Sequence, residues 1–442
     1  MKMRIFFWSL TSALAGFLFG FDTVVISGAE QTIQSLWGLS AGLHGVAMAA
    51  ALYGTVLGAL LGGWPTDRWG RRATLLWIGV LYFVSAVGSG LAPDVYSFII
   101  ARFIGGVGIG ISTVAAPLYI SEIAPPKYRG RLAGMFQFNI VFGILIAYAS
   151  NYLLHAGMGA SAWRWMLGVA AFPSLLYTVL CFGIPESPRW LLGKKGDRQK
   201  GIAVLRLIEP QAAPAEIEAR ADEIIAAAAE RISSGRFWTR RLRIPILLAI
   251  LIAFFNQLSG INAILYFAPR IFEMTGLAAK AALLQSVGIG VTNLIFTFVG
   301  LSLIDRLGRR TLLYIGSFGY ILSLGLVAWA FFTQHFAIVP VCIFAFIAAH
   351  AVGQGTVIWV FISEIFPNRH RAEGQTLGCS THWIFAALLT TFFPAAVSAF
   401  PPGYVFLFFC GMMVLQLIWV KTMVPETKGV PLEQIQKQLG IE

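Results

Sequence analysis

Asp22 and Arg102 are ionisable residues set deep inside apolar stretches, each about seven residues, or roughly 10 Å along a helix, from the same end of its stretch. A charge in such a place is costly unless it is paired or hydrated, and an acid and a base at one depth are each other's obvious partners. Two kinds of chemistry fit the pair. One is a static buried ion pair. The other is a proton site: a carboxylate against a guanidinium keeps its charge, while one parted from it in a dry interior takes up a proton. A cycle that joins and separates the two would therefore load and release a proton.

The remaining polar side chains within the apolar stretches are amide, hydroxyl, imidazole and indole: Gln137, Asn256, Gln257, Asn262, Tyr266, Asn293, Trp359, His382 and Trp383. A sugar hydroxyl both donates and accepts, as an amide does through its two ends, and the C–H face of a pyranose can lie on an indole. The set suits a neutral, hydroxyl-rich solute, although any one of these amides could instead bond to a neighbouring helix. Asn256-Gln257-Leu258-Ser259-Gly260-Ile261-Asn262 gathers four polar side chains around a glycine that should loosen its helix, and Gly353-Gln354-Gly355 ahead of Trp359 is a second weak point. His382 could titrate near neutral pH or serve as a neutral hydrogen-bonding group. A third set, Asp67, Arg72, Glu122, Arg129, Asp305, Arg310, Glu364 and Arg371, stands where apolar stretches end. These are either topogenic and solvated charges or ion pairs that close one side of the molecule.

The elements that must position these groups are apolar helices. Of 442 residues 57% are hydrophobic and 12% charged, too few charges to cover a water-facing surface of this size. Apolar stretches of membrane-spanning length run near 5–29, 43–65, 74–92, 95–121, 131–154 and 163–184, then near 244–272, 279–304, 311–333, 337–363, 373–398 and 403–424. The chain divides into an N-terminal six-helix half (1–185), a water-exposed helical linker (186–243), a C-terminal six-helix half (244–424) and a short tail (425–442). Of the 32 Lys and Arg residues, all but Arg102, Arg164, Arg270 and Lys280 fall in the tails and alternate loops, which predicts cytoplasmic termini and linker. That placement accounts for the +12 net charge without nucleic acid. The N-terminus imitates a signal peptide, but its apolar run continues past the supposed cleavage site. The four cysteines have no metal-like spacing, and Gly105-Gly106-Val107-Gly108-Ile109-Gly110 lies inside a helix, where close packing rather than nucleotide binding explains it.

One long repeat organises the chain. Asp67-Arg68-Trp69-Gly70-Arg71-Arg72 recurs as Asp305-Arg306-Leu307-Gly308-Arg309-Arg310; Ser121-Glu122-Ile123 recurs as Ser363-Glu364-Ile365; and Pro185-Glu186-Ser187 recurs as Pro425-Glu426-Thr427. Three motifs in one order, each about 240 residues on, imply two copies of a six-helix unit in the same orientation. Such a pair is the arrangement of a secondary transporter, with its site between the halves.

With these motifs, and with Pro-Glu-Ser-Pro-Arg-Trp at 185–190 and Pro-Glu-Thr-Lys-Gly at 425–429, the whole chain resembles the sugar porter family of the major facilitator superfamily. The resemblance implies an all-α membrane protein of twelve transmembrane helices in two six-helix halves, the major facilitator fold. It implies sugar binding at Gln137, Gln257, Asn262, Asn293 and Trp359, with Trp383 one residue beyond a further binding position. It implies gating by Glu122, Glu364 and the repeated arginines, and linker helices that brace the two halves. Asn256 and His382 depart from the family pattern: Asn256 takes the first place of what is usually a Gln-Gln pair, and His382 stands where an Asn or Gln usually precedes the Trp. An acid at Asp22 matched to Arg102 resembles the proton-coupled members, so the expected activity is proton-coupled import of a monosaccharide, a hexose such as glucose. A facilitative uniporter and a non-transporting sugar sensor are the alternatives. The expected partners are sugar, proton and membrane lipid, with no metal, no cofactor and no nucleic acid. The expected state is a monomer in the inner membrane. No nucleophile–base pair or cluster of carboxylates supports an enzyme.

Overall fold

The computed structural model describes residues 3–125, 128–230, 236–367 and 370–441. Among the described residues, twelve helices are long and apolar enough to cross a membrane. They are α1 (Met3–Gly28), α2 (Ala41–Leu61), α3 (Arg71–Leu91), α4 (Val95–Ile123), α5 (Gly134–Gly157), α6 (Gly159–Cys181), α7 (Arg240–Tyr266), α8 (Ala279–Leu307), α9 (Arg309–Thr333), α10 (Phe336–Ile365), α11 (Arg371–Ala399) and α12 (Pro402–Met423). Six precede the long polar segment and six follow it, so both ends of the chain share a face with that segment. We call this face the linker side and the opposite one the far side.

Capping residues mark where spans begin. Ser40 accepts from the Leu43 N–H at the start of α2, and Asp94 accepts from the N–H groups of Tyr96 and Ser97 at the start of α4. Large side chains such as Phe172, Leu175, Val179, Ile295 and Phe298 stay exposed, as lipid-facing residues must, while small and polar residues face inward. In the seam between α2 and α4, Gly54 and Gly58 of one helix meet Gly106 and Gly110 of the other. A Cβ on Gly106 would lie 1.9 Å from the Ala51 carbonyl oxygen, and one on Gly54 would lie 2.1 Å from that of Phe103. The glycine run in α4 is thus a close-packing surface.

The stretch read from sequence as one helix over 244–272 is broken. Its regular part ends at Leu258, and Gly260 has φ +87° with Phe409 packed against it. The chain resumes as Ile261–Tyr266 and Ala268–Glu273. A side chain at Gly260 would meet both the left-handed backbone and the Phe409 ring. α10 is likewise interrupted at Gly353, between Val352 and Gln354.

Past α6, the helices Arg198–Ile208 and Pro214–Glu230 pack on each other through Leu192, Leu205, Ile217 and Ala221, and Arg198 pairs with Glu218 and Asp222. The segment is tied to the first half by the Trp190 indole N–H, which donates to the Asp67 carbonyl at 2.7 Å. Toward its end Phe237 stacks on Phe366 of the second half.

Candidate functional site

Arg102 Nη1 donates to Asp22 Oδ1 at 2.6 Å and Nη2 donates to the Asp22 carbonyl at 3.0 Å, and both side chains are buried. The pair joins α1 to α4 within the first half, as their matched depths require. It is incompletely satisfied: Asp22 Oδ2 and Arg102 Nε have no hydrogen-bond partner, and the hydroxyls of Tyr82 and Ser85 on α3 are buried and unpartnered as well. A carboxylate that holds its arginine through one oxygen keeps the other available for a proton.

The second-half cluster forms around the break in α7. Gln257 Nε2 donates to a ring nitrogen of His382 at 3.0 Å and to Asn256 Oδ1 at 3.2 Å. The His382 ring lies 5.2 Å from Trp359 and 4.7 Å from Trp383, and Trp383 meets Phe19 of α1 edge-on at 5.4 Å. Three atoms of this region, Gln257 Oε1, Asn262 Nδ2 and Trp383 Nε1, are buried without partners. Each such atom costs about 1–3 kcal/mol in a dry interior, and together they offer one acceptor and two donors to a hydroxyl-bearing guest.

Asn256, Gln257, Trp359, His382 and Trp383 are therefore contiguous. Asn262 and Tyr266 follow on the far side of the break, and Tyr266 is within electrostatic reach of Asp22 and Arg102. Gln137 is half-buried on α5, and Asn293 on α8 has only a long contact from Thr297 at 3.5 Å; neither hydrogen-bonds to the cluster. A buried chain from Gln354 through Gln416 to Ser317, and a Tyr320–His350 bond at 2.6 Å, were not singled out from sequence; only their polarity inside apolar stretches marks them.

With the far side shut, the rim charges pair within each half, and through Arg71 and Arg309 rather than Arg72 and Arg310. Arg71 forks onto Glu122 and reaches Asp67; Arg309 forks onto Glu364 at 2.7 and 3.0 Å and reaches Asp305. Arg72 and Arg310 turn outward to donate to the carbonyls of Phe182 and Lys421. Asp67 and Asp305 are largely exposed, Arg371 is exposed, and the side chain of Arg129 lies outside the described residues.

Position in the helix explains the exchange. Gly70 and Gly308 turn the chain with φ +97° and +91°, so the first arginine of each doublet faces the neighbouring span and the second, about 100° round the helix, faces away. The third repeated motif supplies the cap. Glu186 accepts from the backbone N–H groups of Arg71 and Arg72, and Glu426 from those of Arg309 and Arg310. Ser187 and Thr427 then donate to Glu122 and Glu364. Burial pushes the Glu186 carboxyl above the usual glutamate range, against the bonds from Ser187, Arg72 and Arg71 that favour its charge.

The far side is closed across the halves. Tyr53 on α2 bonds Thr391 on α11 at 2.7 Å, and Tyr148 on α5 donates to the Leu265 carbonyl at 2.7 Å. Arg270, after α7, forks onto Glu30, just past α1. Glu30 is fully buried although it stands past the end of the span, so burial of charge is not confined to Asp22 and Arg102. The clue was Arg270 itself, one of four bases outside the basic loops.

Twelve spans in two repeated halves, with polar groups gathered between them and one side shut, define a membrane transporter of the major facilitator fold. A family model described as "Sugar (and other) transporter" matches residues 8–439. The chain belongs to this sugar porter family, and so is a transporter rather than an enzyme. It is 33% identical to the D-xylose-proton symporter of Escherichia coli K12, over 98% of this chain and 95% of that one. It is 34% identical to the glucose transporter GlcP of Staphylococcus epidermidis, over 99% and 98%. A structure of the E. coli xylose transporter XylE in a partially occluded inward-open conformation superposes with TM-score 0.86 at 32% identity, covering 97% of this chain and all of that one.

Proposed function

We propose that the protein is a proton-coupled symporter that imports a monosaccharide, a hexose such as glucose, by alternating access. It would lie in the inner membrane as a monomer with the linker side cytoplasmic, and be driven by the proton gradient without a cofactor. The observation that carries this reading is the buried Asp22–Arg102 pair with one carboxylate oxygen free, on the same helix as Phe19, which meets Trp383 of the uncharged amide and indole cluster. The xylose, arabinose and glucose carriers among its relatives support a monosaccharide as cargo. The sugar would take up the unpartnered Gln257, Asn262 and Trp383 atoms, with Gln137, Asn293, Trp359, Tyr266, Asn256 and His382 completing the wall.

Proteoliposomes given labelled glucose and an inward proton gradient test the reading, with unlabelled fructose, xylose, galactose and sucrose as competitors. Protonophore-sensitive accumulation supports symport, and the competitor order names the sugar. Equilibration indifferent to protonophore would make Asp22–Arg102 a structural pair in a uniporter, and absence of flux would favour a sensor.

Removing the Gln257 amide with Gln257→Ala should raise KM for the sugar by about two- to tenfold, since a hydrogen bond is worth about 0.5–1.5 kcal/mol net. Binding by tryptophan quenching would check it; an unchanged affinity would exclude Gln257 from the site.

On the linker side, the two clusters around Glu122 and Glu364 would meet when that side closes. Glu364→Gln weakens the fork to Arg309 and should shift the population toward the state open there. A ligand that enters only from the far side would then bind less; unchanged binding would remove Glu364 from the gate.

A further inference from the structure

Glu30 opens the short helix Glu30–Leu36, and its carboxylate is fully buried. Oε1 accepts from Arg270 Nε at 2.8 Å, Oε2 accepts from Arg270 Nη2 at 2.7 Å, and Oε2 also lies 2.8 Å from His44 Nε2. Arg270 Nη2 donates in addition to Gln34 Oε1 at 2.6 Å. Arg270 belongs to the second half, whereas Glu30, Gln34 and His44 belong to the first, so this fork is an ion pair between the halves. His44 is fully buried with Nδ1 unpartnered. A neutral imidazole that directs its Nε2–H to Glu30 leaves one negative and one positive charge, in balance. A second ring proton would give the closed cluster a net positive charge and a stranded N–H.

We propose that Glu30, Arg270 and His44 form the latch that holds the far side closed, with His44 taking up a proton whenever the halves part there. Parting carries Arg270 away and leaves Glu30 beside His44. A proton from water on the far side then converts the two into a carboxylate–imidazolium pair within the first half. Closure returns that proton to the same water as Arg270 docks. Acid on the far side therefore holds the latch open, and this proton is not the one carried with cargo.

The other groups facing the latch are few. Phe267 lies edge-on to His44 at 6.3 Å. Glu273 lies near Gln31 at the same gap, and burial first, then the charge of Glu30, push its carboxyl above the usual range, against Gln31, Arg270 and His155 at the end of α5. Protonating Glu273 relieves its repulsion with Glu30 and so favours closure. The two acid effects oppose each other, which makes His44 the residue to remove.

The inference rests on alternating access but not on proton coupling or on any sugar, and its test needs neither. In full-length protein in lipid nanodiscs, with the native cysteines replaced, spin labels at the exposed Leu36 and Ala279 report the far-side gap. Without sugar, the wild type should give a short distance near pH 7.5 and a longer population near pH 5.5. Arg270→Gln should give the long distance at both, Arg270→Lys should keep the short one near pH 7.5, and Glu30→Lys with Arg270→Glu should restore it. His44→Leu should stay short at both. A wild-type distance in Arg270→Gln, or no recovery in the charge exchange, overturns the latch. An acid-induced lengthening in His44→Leu equal to that of the wild type, or none in the wild type, overturns the proton role.

Discussion

Asp22→Asn is expected to abolish accumulation of sugar against its gradient while leaving exchange of sugar for sugar. In the present geometry Arg102 holds Asp22 by one oxygen and by the backbone carbonyl, so an amide can keep the shape of the contact without the charge. What it cannot do is alternate between a charged and a protonated form. The carrier then cycles with no proton to couple, and the ratio of sugar inside to outside should settle at one with or without a protonophore. Leaving Arg102 buried without its acid can cost about 3–5 kcal/mol, so a fold control is needed. Asp22→Asn combined with Arg102→Leu removes both charges and should show the same uncoupled exchange. Proton-dependent accumulation by either variant would take Asp22 out of the coupling step.

A second large effect is expected at Gly45, near the start of α2. A Cβ there would stand 1.8 Å from the Thr391 carbonyl oxygen on α11, in the same seam where Tyr53 bonds Thr391. Backbone against backbone cannot yield as a flexible side chain can, so Gly45→Leu wedges the halves apart on the far side. Sugar should still bind from that side, and net uptake should fall to background, because closure is the step denied. Gly42→Leu is the control, since nothing lies within 4 Å of a Cβ at Gly42, and its uptake should be unchanged. If Gly45→Leu carried sugar at the wild-type rate, the α2–α11 seam would not be the surface that closes.

The fold was legible because the membrane imposes a length and a polarity that hydropathy reads directly, and because three motifs recurred at one offset. The Asp22–Arg102 pair was legible by depth alone. The partners of the rim charges were not: Arg71 and Arg72 are adjacent and identical in type, and only the turn at Gly70 decides which one faces Glu122. The break in α7 was expected as looseness around Gly260, but a left-handed residue with Phe409 behind it is a fixed corner. Glu30 escaped notice because it stands at the end of an apolar run, where a charge costs little, and its partner lies 240 residues away in the other half.

Because Arg71 and Glu122, and Arg309 and Glu364, stay paired while the far side is shut, swinging the linker side open strands no ion in a dry place. Had these pairs been shared between the halves, each opening would have had to rehydrate several charges. Kept within each half, they need not be rehydrated when the linker side opens. Moving a population from one part in a hundred to ninety-nine then takes about 5.5 kcal/mol of preferential binding, which a bound proton and a bound sugar have to supply without first paying to hydrate buried ions.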